Sequence, residues 1–246
     1  MIRREAYLLA GPTASGKSAA AALLARRLGA AILSADSMLV YKGMDVGTAK
    51  PSSAERAEFD MGGVDLVTPA EHFSSGAWLR AAARWLVVMP ANRPIVIVGG
   101  TGLYFSALLR GLDRKWTLPP PAYPVLQLDR AVLHARIAAR LDEMFMQGLA
   151  LEVAALRQQY PVWSDTASAA IGYKEFIDGE DVARVRERIL ACTRQLAKRQ
   201  QTWFRHQATP LYVSVGETVS ATAENVWRIW REHGPWQVCL PEEGDA

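Results

Sequence analysis

Gly11-Pro12-Thr13-Ala14-Ser15-Gly16-Lys17-Ser18 stands near the start of the chain, between a short apolar run and an Ala/Leu-rich segment. The apolar run, residues 6–10, predicts a strand, and the segment that ends near Leu28 predicts a helix. Strand, glycine-rich turn and helix in this order are the context of a phosphate-binding P-loop. The alternative is an ordinary Gly/Ser turn that leads into a helix.

A P-loop at this position would bind a pyrophosphate-type ligand. The backbone N–H groups of the turn and of the helix start converge on one spot, which the helix dipole makes positive. Lys17 would add a mobile ammonium, and the Ser18 hydroxyl is placed to ligate a Mg²⁺ that bridges two phosphates.

The composition is that of an ordinary soluble domain. Of the 246 residues 50% are hydrophobic and 22% are charged, and no uncharged apolar run approaches the roughly 20 residues of a membrane span. The formal net charge of +3 permits a nucleic-acid or phosphate partner without requiring one.

The N-terminal residues lead directly into the predicted strand, so we expect no removable signal peptide. Two cysteines do not form a disulfide framework, which favours a cytoplasmic location. We expect one domain over residues 1–246 that acts as a monomer away from membranes.

Strand and helix patterns alternate through the first half and predict an α/β fold. We expect a P-loop NTPase-like parallel sheet flanked by helices, followed by a helical C-terminal half. Strands are predicted at residues 30–34, 94–98, 125–128 and 210–215. Helices are predicted at residues 74–89, 131–146, 149–160, 168–177, 181–206 and 221–232, and another through Leu109. Sites in such sheets lie at the carboxyl ends of strands, and Asp36 and Thr101 both follow a predicted strand.

The residues that follow the predicted strand at residues 94–98 indicate which kind of reaction the P-loop serves. In a P-loop kinase or ATPase the corresponding strand usually ends in an acid that holds Mg²⁺ through water. Here Gly99-Gly100-Thr101 follow, and the carboxylate nearest in sequence is Asp36. Departure of an allyl group from pyrophosphate is favoured over phosphoryl transfer, because the allyl cation is delocalised and the loop can stabilise the leaving charge. Asp36 would take the proton of the acceptor.

Further segments resemble one family closely: the tRNA dimethylallyltransferases, or isopentenylpyrophosphate transferases, to which the shorter adenylate isopentenyltransferases are related. Besides the P-loop, the resemblance is carried by Ser34-Ala35-Asp36-Ser37, Val40-Tyr41-Lys42-Gly43-Met44-Asp45-Val46-Gly47-Thr48-Ala49-Lys50-Pro51, Gly99-Gly100-Thr101-Gly102-Leu103-Tyr104-Phe105, Ile171-Gly172-Tyr173-Lys174, Thr193-Arg194-Gln195-Leu196-Ala197-Lys198-Arg199-Gln200 and Thr202-Trp203-Phe204-Arg205. These segments occur in family order between residues 6 and 206, and the chain is identified as a member of this family.

The resemblance implies transfer of dimethylallyl from dimethylallyl diphosphate to the exocyclic N6 of an adenine beside the tRNA anticodon, with Mg²⁺ as cofactor. Asp36 would be the general base, and Thr101 would bond to the leaving bridge oxygen or orient the base. The diphosphate would be held by Thr13, Ala14, Ser15, Gly16, Lys17 and Ser18, with Ser18 on the metal, and by Arg136 or Arg140. The anticodon stem-loop, with its target adenosine flipped out of the stack, would be faced by Ser37, Met38, Leu39, Gly172, Tyr173, Lys174, Arg194, Lys198, Arg199, Trp203 and Arg205.

The chain departs from the family pattern on the acceptor side. The tRNA enzymes usually carry a large helical insertion that embraces the anticodon stem, whereas here only residues 110–124 bridge that position. Leu39 stands where the family has a glutamine that helps to bind the flipped adenine, and leucine has no hydrogen-bonding group. Gly62-Gly63 stand in place of a common His-His pair.

Three hypotheses about the acceptor stay open. A compact tRNA prenyltransferase is favoured by the retained segment at residues 198–205 and by the basic charge. An enzyme that prenylates a small acceptor, such as a free adenine nucleotide, is favoured by the missing insertion and by Leu39. An inactive phosphate- or RNA-binding paralogue is opposed by the retention of Lys17, Asp36 and Thr101.

Overall fold

Strands and helices alternate through the protein, of which the structure, a computed structural model, describes residues 2–110, 122–177, 181–207 and 210–240. The strands in this part are β1 (Ile2–Ala10), β2 (Ala31–Ala35), β3 (Ile95–Gly99), β4 (Tyr123–Gln127), β5 (Pro210–Ser214) and β6 (Trp236–Leu240). The helices are α1 (Lys17–Leu28), α2 (Ser53–Glu58), α3 (Ser75–Val88), α4 (Gly102–Arg110), α5 (Arg130–Met146), α6 (Leu149–Gln159), α7 (Asp165–Ser168), α8 (Lys174–Ile177), α9 (Val182–Arg205) and α10 (Val219–His233).

The strands form one sheet in the order β2-β3-β1-β4-β5, and every pairing along this path is parallel. β1 lies at its centre, so the loop after Ala10 leaves the carboxyl edge of the sheet between β3 and β4. β6 pairs with β1 in the antiparallel direction, from Ile2 opposite Leu240 to Ala6 opposite Trp236. The expected α/β fold with a parallel sheet is confirmed, and β6 is an addition that the sequence did not predict.

Helices cover both faces of the sheet, because successive residues of a buried strand point to opposite sides. Ile95 and Ile97 of β3 belong to a core shared with α3 and α4. Val96 and Val98 belong to a second core shared with α1 and α10. The all-apolar β-branched run at residues 95–98 is therefore buried on both sides, as its composition predicts.

The helical C-terminal half brings α9 across the site edge of the sheet. Ala197 of α9 packs with Leu133 and Ile137 of α5, and Ala14 of the P-loop lies against the same cluster. Phe204, one further buried residue of α9, meets the ring of Phe105 in α4 edge to face at 5.5 Å between centroids. α9 is therefore held close to the P-loop.

Besides β6, two elements differ from the sequence-based expectation. The segment at residues 168–177 is not one helix: α7 ends at Ser168 and α8 begins at Lys174, and the turn between them contains Gly172 with a φ of 92°. α2 was not predicted, although Ser52 and Glu55 form a capping box at its start. The connection predicted at residues 110–124 lies largely outside the described residues. In the part of the chain that the structure describes, no helix combines the length and the apolar character needed to cross a bilayer.

Candidate active site

The P-loop is built by local backbone geometry at the end of β1. Gly16 has a φ of 87°, a left-handed conformation that glycine adopts without strain, and α1 begins at the next residue. Ser15 N–H donates to the Pro12 carbonyl at 3.3 Å and closes the turn. The Ser15 hydroxyl is buried and has no hydrogen-bond partner among the described residues. A buried hydroxyl of this kind is costly unless a ligand satisfies it, as an anion in the loop would.

Lys17 carries the mobile charge of the loop. Its Nζ donates to the Pro12 carbonyl at 3.3 Å. Burial lowers the pKa of Lys17 from its ordinary value to about 8; the Asp36 carboxylate opposes this shift and the Arg140 guanidinium adds to it. The ammonium is thus poorly solvated and only partly compensated, so a bound anion would stabilise its charged form.

Two arginines of α5 reach the P-loop from opposite ends of it. Arg136 Nη1 donates to the Ser15 carbonyl at 3.4 Å. Arg140 Nη1 donates to Thr13 Oγ1 at 3.2 Å, and its Nη2 donates to the Thr48 carbonyl at 2.9 Å. Arg136 and Arg140 are one turn apart on α5, so both face the loop. Arg140 lines the cavity described below, and Arg136 does not.

Asp36 and Thr101 meet where the neighbouring strands β2 and β3 end. Asp36 Oδ1 accepts from Met38 N–H at 2.9 Å, which fixes the carboxylate at the start of the following turn. Thr101 Oγ1 accepts from Ser37 N–H at 2.9 Å and donates to Ser37 Oγ at 3.3 Å. Thr101 therefore holds the turn that carries Asp36, and both side chains line the same cavity.

Gln200 of α9, for which the sequence analysis predicts no role, links the residues that follow β1 to those that follow β3. Its Oε1 accepts from Thr13 N–H at 2.7 Å, and its Nε2 donates to the Gly100 carbonyl at 3.0 Å. A Cβ on Gly100 would lie 2.5 Å from Gln200 Nε2, so the close approach requires glycine there. Gln200 belongs to the motif at residues 193–200. The motif alone does not show that its side chain bonds to Thr13 and Gly100, which are distant from it in sequence.

The cavity between these groups has a volume of about 260 Å³. Its lining includes the P-loop residues Thr13 and Ala14 and the polar side chains of Asp36, Ser37, Thr101, Arg140, Arg199 and Gln200. The same cavity is also lined by the apolar side chains of Ile137, Leu141, Met144, Ile171, Ile189 and Leu196. One chamber thus combines groups suited to an anion with a surface suited to a small hydrocarbon.

The residues predicted to hold a diphosphate are gathered at one place. Thr13, Ala14 and Arg140 line the cavity itself. Ser15, Gly16 and Lys17 continue the loop beside it, and Ser18 is exposed in the first turn of α1. Among the described residues no group of three or more His, Cys, Asp and Glu gathers to form a metal cage.

The residues predicted to face the acceptor are more scattered. Ser37, Met38, Gly172 and Arg199 line the cavity. Lys198, Arg199 and Trp203 line an open groove on the outer side of α9, where Arg199 is shared with the cavity. Leu39 is half-buried, and Lys174 and Arg205 are exposed.

Tyr173 and Arg194 have surroundings that the sequence did not predict. Tyr173 is fully buried, and its hydroxyl donates to Glu152 Oε1 at 2.6 Å, so its side chain supports the wall of the cavity instead of facing an acceptor. Arg194 Nε is buried without a hydrogen-bond partner among the described residues. Its charge helps to lower the pKa of His134 on α5, behind burial of that imidazole, so Arg194 lies on the α5 side of α9.

Two family models match the chain. The IPP transferase model matches residues 39–124 and 118–207, and the isopentenyl transferase model matches residues 4–60. The P-loop lies within the segment that matches the isopentenyl transferase model, and the cavity-lining part of α9 lies within a segment that matches the IPP transferase model.

Curated relatives and solved structures point the same way. The tRNA dimethylallyltransferase of Azoarcus sp. (strain BH72) is 36% identical over 281 aligned positions, which cover 81% of this chain and 87% of the relative. The tRNA dimethylallyltransferase of Bordetella pertussis is 31% identical over 93% of this chain and 99% of the relative. In fold, the chain is similar to the tRNA isopentenylpyrophosphate transferase of Staphylococcus epidermidis, with a TM-score of 0.81 at 24% identity over 93% of this chain and 99% of that one. The chain belongs to the tRNA dimethylallyltransferase family.

Proposed function

We propose that the protein transfers a dimethylallyl group from dimethylallyl diphosphate to the N6 amine of an adenine in tRNA, next to the anticodon. The observation that carries this proposal is the single cavity in which Arg140, the P-loop and Asp36 meet an apolar chamber. Membership of the family supports the same reaction.

The donor fits the two kinds of side chain that line the cavity. Its diphosphate would lie on the P-loop amides, with Lys17 and Arg140 as cations, and its hydrocarbon would lie against Leu141 and Ile189. The buried Ser15 hydroxyl would gain the partner that it lacks. Because the described residues gather no cage of metal ligands, Mg²⁺ would be held mainly by diphosphate oxygens and Ser18, as is usual for this cation. Bound there, it would neutralise charge on the leaving diphosphate.

The reaction forms one bond and breaks one bond. N6 of the adenine bonds to C1 of the dimethylallyl group while the bond from C1 to the diphosphate oxygen breaks. The loop amides, Lys17 and Arg140 stabilise the charge that develops on the leaving oxygen. Asp36 accepts the proton that N6 loses, and Thr101 keeps the Asp36 turn in place.

The groove outside α9 supports a polynucleotide acceptor. Lys198 and Arg199 line it beside Trp203, and Arg199 also lines the cavity, so the groove adjoins the place of reaction. Phosphates of a bound strand would meet these cations while the target base enters the cavity. We also propose that the protein acts in the cytoplasm, as a monomer.

A small acceptor is the second candidate, and one observation favours it. The 281 positions aligned with the Azoarcus enzyme exceed the 246 residues of this chain, so residues of that relative face gaps here. The two segments that match the IPP transferase model also meet at residues 118–124. We propose that the clamp on the anticodon stem is absent, which would weaken binding to tRNA, since phosphate contacts supply most of such affinity.

Incubation with labelled dimethylallyl diphosphate separates the two acceptors. The protein is given unmodified tRNA, an anticodon stem-loop, or AMP, ADP and ATP in separate reactions, with Lys17→Met as the matched variant. Label in tRNA and stem-loop that is lost in the variant supports the proposal. Label in nucleotide alone would mean that the acceptor is the small molecule and not tRNA. Label in none of these acceptors refutes both candidate functions.

A further inference from the structure

Glu152 of α6 collects four hydrogen-bond donors on one carboxylate. Its Oε2 accepts from the N–H groups of Asp45 at 3.0 Å and Val46 at 2.7 Å. Its Oε1 accepts from Gly47 N–H at 3.1 Å and from the Tyr173 hydroxyl at 2.6 Å. A carboxylate has two oxygens that can each accept two hydrogen bonds, whereas an amide has only one oxygen and would set N–H donors against two of these four donors.

The three N–H groups belong to consecutive residues of the loop that ends at Thr48. The Thr48 carbonyl accepts from Arg140 Nη2 at 2.9 Å, while Nη1 of the same guanidinium donates to Thr13 Oγ1 at 3.2 Å. Arg140 is thus held between the P-loop and this loop. A shift of the loop would move one of its two anchors.

Lys50 holds the far side of the same loop. Its side chain is only 1% exposed, and its Nζ bonds to the Tyr41 carbonyl at 2.6 Å and to the carboxylates of Asp45 at 2.6 Å and Asp65 at 2.7 Å. The loop is therefore anchored on both sides of Thr48, and Glu152 is the anchor on the α6 side.

Tyr173 ties the segment before α8 to the same carboxylate. A Cβ on Gly47 would lie 2.5 Å from the Tyr173 ring, so the ring rests directly on the loop backbone. Gly47 and Gly172 line the cavity, whereas Glu152 and Tyr173 do not. Glu152 therefore reaches the cavity only through the residues that it holds.

We propose that Glu152 is a positioning residue for the donor site: it fixes the loop at residues 45–48 so that the Thr48 carbonyl keeps the Arg140 guanidinium directed at the P-loop. The inference rests on the proposed binding of a diphosphate at that loop. Glu152 contacts neither substrate in this arrangement, and its effect on the diphosphate passes through Arg140.

Affinity for inorganic pyrophosphate tests the inference without an acceptor. Both oxygens of Glu152 meet donors, so in Glu152→Gln the amide N–H₂ must face either the Asp45 and Val46 pair or the Gly47 and Tyr173 pair. Loss of the loop position should weaken pyrophosphate binding about tenfold, because a misdirected Arg140 would lose a hydrogen bond to a charged oxygen of the anion. Glu232→Gln on α10, the same chemical change at an exposed position, should bind as wild type does.

A double-mutant cycle with Arg140→Ala separates positioning from a general loss of structure. If Glu152 acts through Arg140, Glu152→Gln should weaken binding by less than about twofold once the guanidinium is gone. A tenfold loss in both backgrounds would mean that Glu152 only stabilises the fold, which overturns the inference. An unchanged affinity in Glu152→Gln overturns it as well, while leaving the donor site intact.

The wild-type measurement distinguishes the two proposals. If the wild-type protein binds no pyrophosphate, the proposed diphosphate site at the P-loop is refuted, and so is the positioning role of Glu152, which rests on it. If Glu152→Gln does not fold, Tyr173→Phe takes its place in the cycle, because it removes one donor and keeps the three N–H contacts. A two- to tenfold loss of affinity, about the worth of one hydrogen bond, that disappears with Arg140→Ala supports the inference. A loss that persists, or no loss, refutes it.

Discussion

Donor affinity should fall when the pH rises through the pKa of Lys17. Burial brings this pKa to about 8 in the free protein. The diphosphate prefers the ammonium form, so protein that has lost this proton must recover it in order to bind. Because the pKa is lowered in the free protein, the affinity for the donor should be at its highest below about pH 7 and should decrease above pH 8.

The size of the effect follows from the protonated fraction. With a pKa of about 8, roughly nine-tenths of Lys17 is charged at pH 7 and roughly one-tenth at pH 9. The dissociation constant for dimethylallyl diphosphate should then rise by close to an order of magnitude between these values. The donor's own terminal phosphate titrates near pH 6 and is ionised throughout this interval, so its charge does not change.

Calorimetric titration without an acceptor measures both the affinity and the proton that accompanies binding. Near pH 8.5, binding should take up most of one proton per donor, seen as a heat that depends on the ionisation enthalpy of the buffer. Lys17→Met should bind more weakly at pH 7 and lose both the slope and the uptake. An affinity that stays level from pH 7 to 9 in the wild-type protein would refute the reasoning, because Lys17 then keeps its proton or does not meet the donor.

Three further substitutions test other parts of the site. Asp36→Asn should bind the donor normally but lower turnover by about 10²- to 10⁴-fold in single-turnover prenyl transfer; near-normal turnover would mean that Asp36 is not the base. Gln200→Leu leaves Thr13 N–H and the Gly100 carbonyl unpaired and should lower the free energy of unfolding in urea by about 1–3 kcal/mol, whereas a neutral effect would show that these groups find other partners. Lys50→Met removes the cation between Asp45 and Asp65 and should lower the same free energy by about 1–3 kcal/mol, since its partners keep some contact with water; a more stable variant would contradict this.

The parts of the fold that the sequence predicts well are those set by local chemistry. The P-loop follows from a glycine that must adopt a positive φ between an apolar strand and a helix, and Gly16 does so. β3 follows from its β-branched run, which only a strand covered on both faces accommodates. Asp36 and Thr101 come together because the carboxyl ends of neighbouring parallel strands share one edge of the sheet.

The contacts that complete the site depend on distant parts of the chain, and local patterns carry no signal for them. Gln200 bonds to a residue 187 positions away, and Glu152 to residues 105 to 107 positions away. A glutamine or glutamate on a helix is most often exposed, so its type alone does not reveal such a role. Tyr173 belongs to a family motif that suggested an acceptor contact, and the sequence carries no sign that its ring is buried against Gly47.

The pairing of β6 with β1 has a consequence for the order in which the protein can assemble. Residues 2–6 pair with residues 236–240, and the Trp230 indole of α10 donates to the Leu8 carbonyl, 222 positions away in sequence. The strand that carries the P-loop is thus completed by a strand that lies at least 230 positions later in the sequence. Contacts between such distant residues slow folding, because a large loop must close before they form. A chain interrupted before residue 236 would leave the backbone of residues 2–6 without this neighbour, so the donor site depends on a strand far from it.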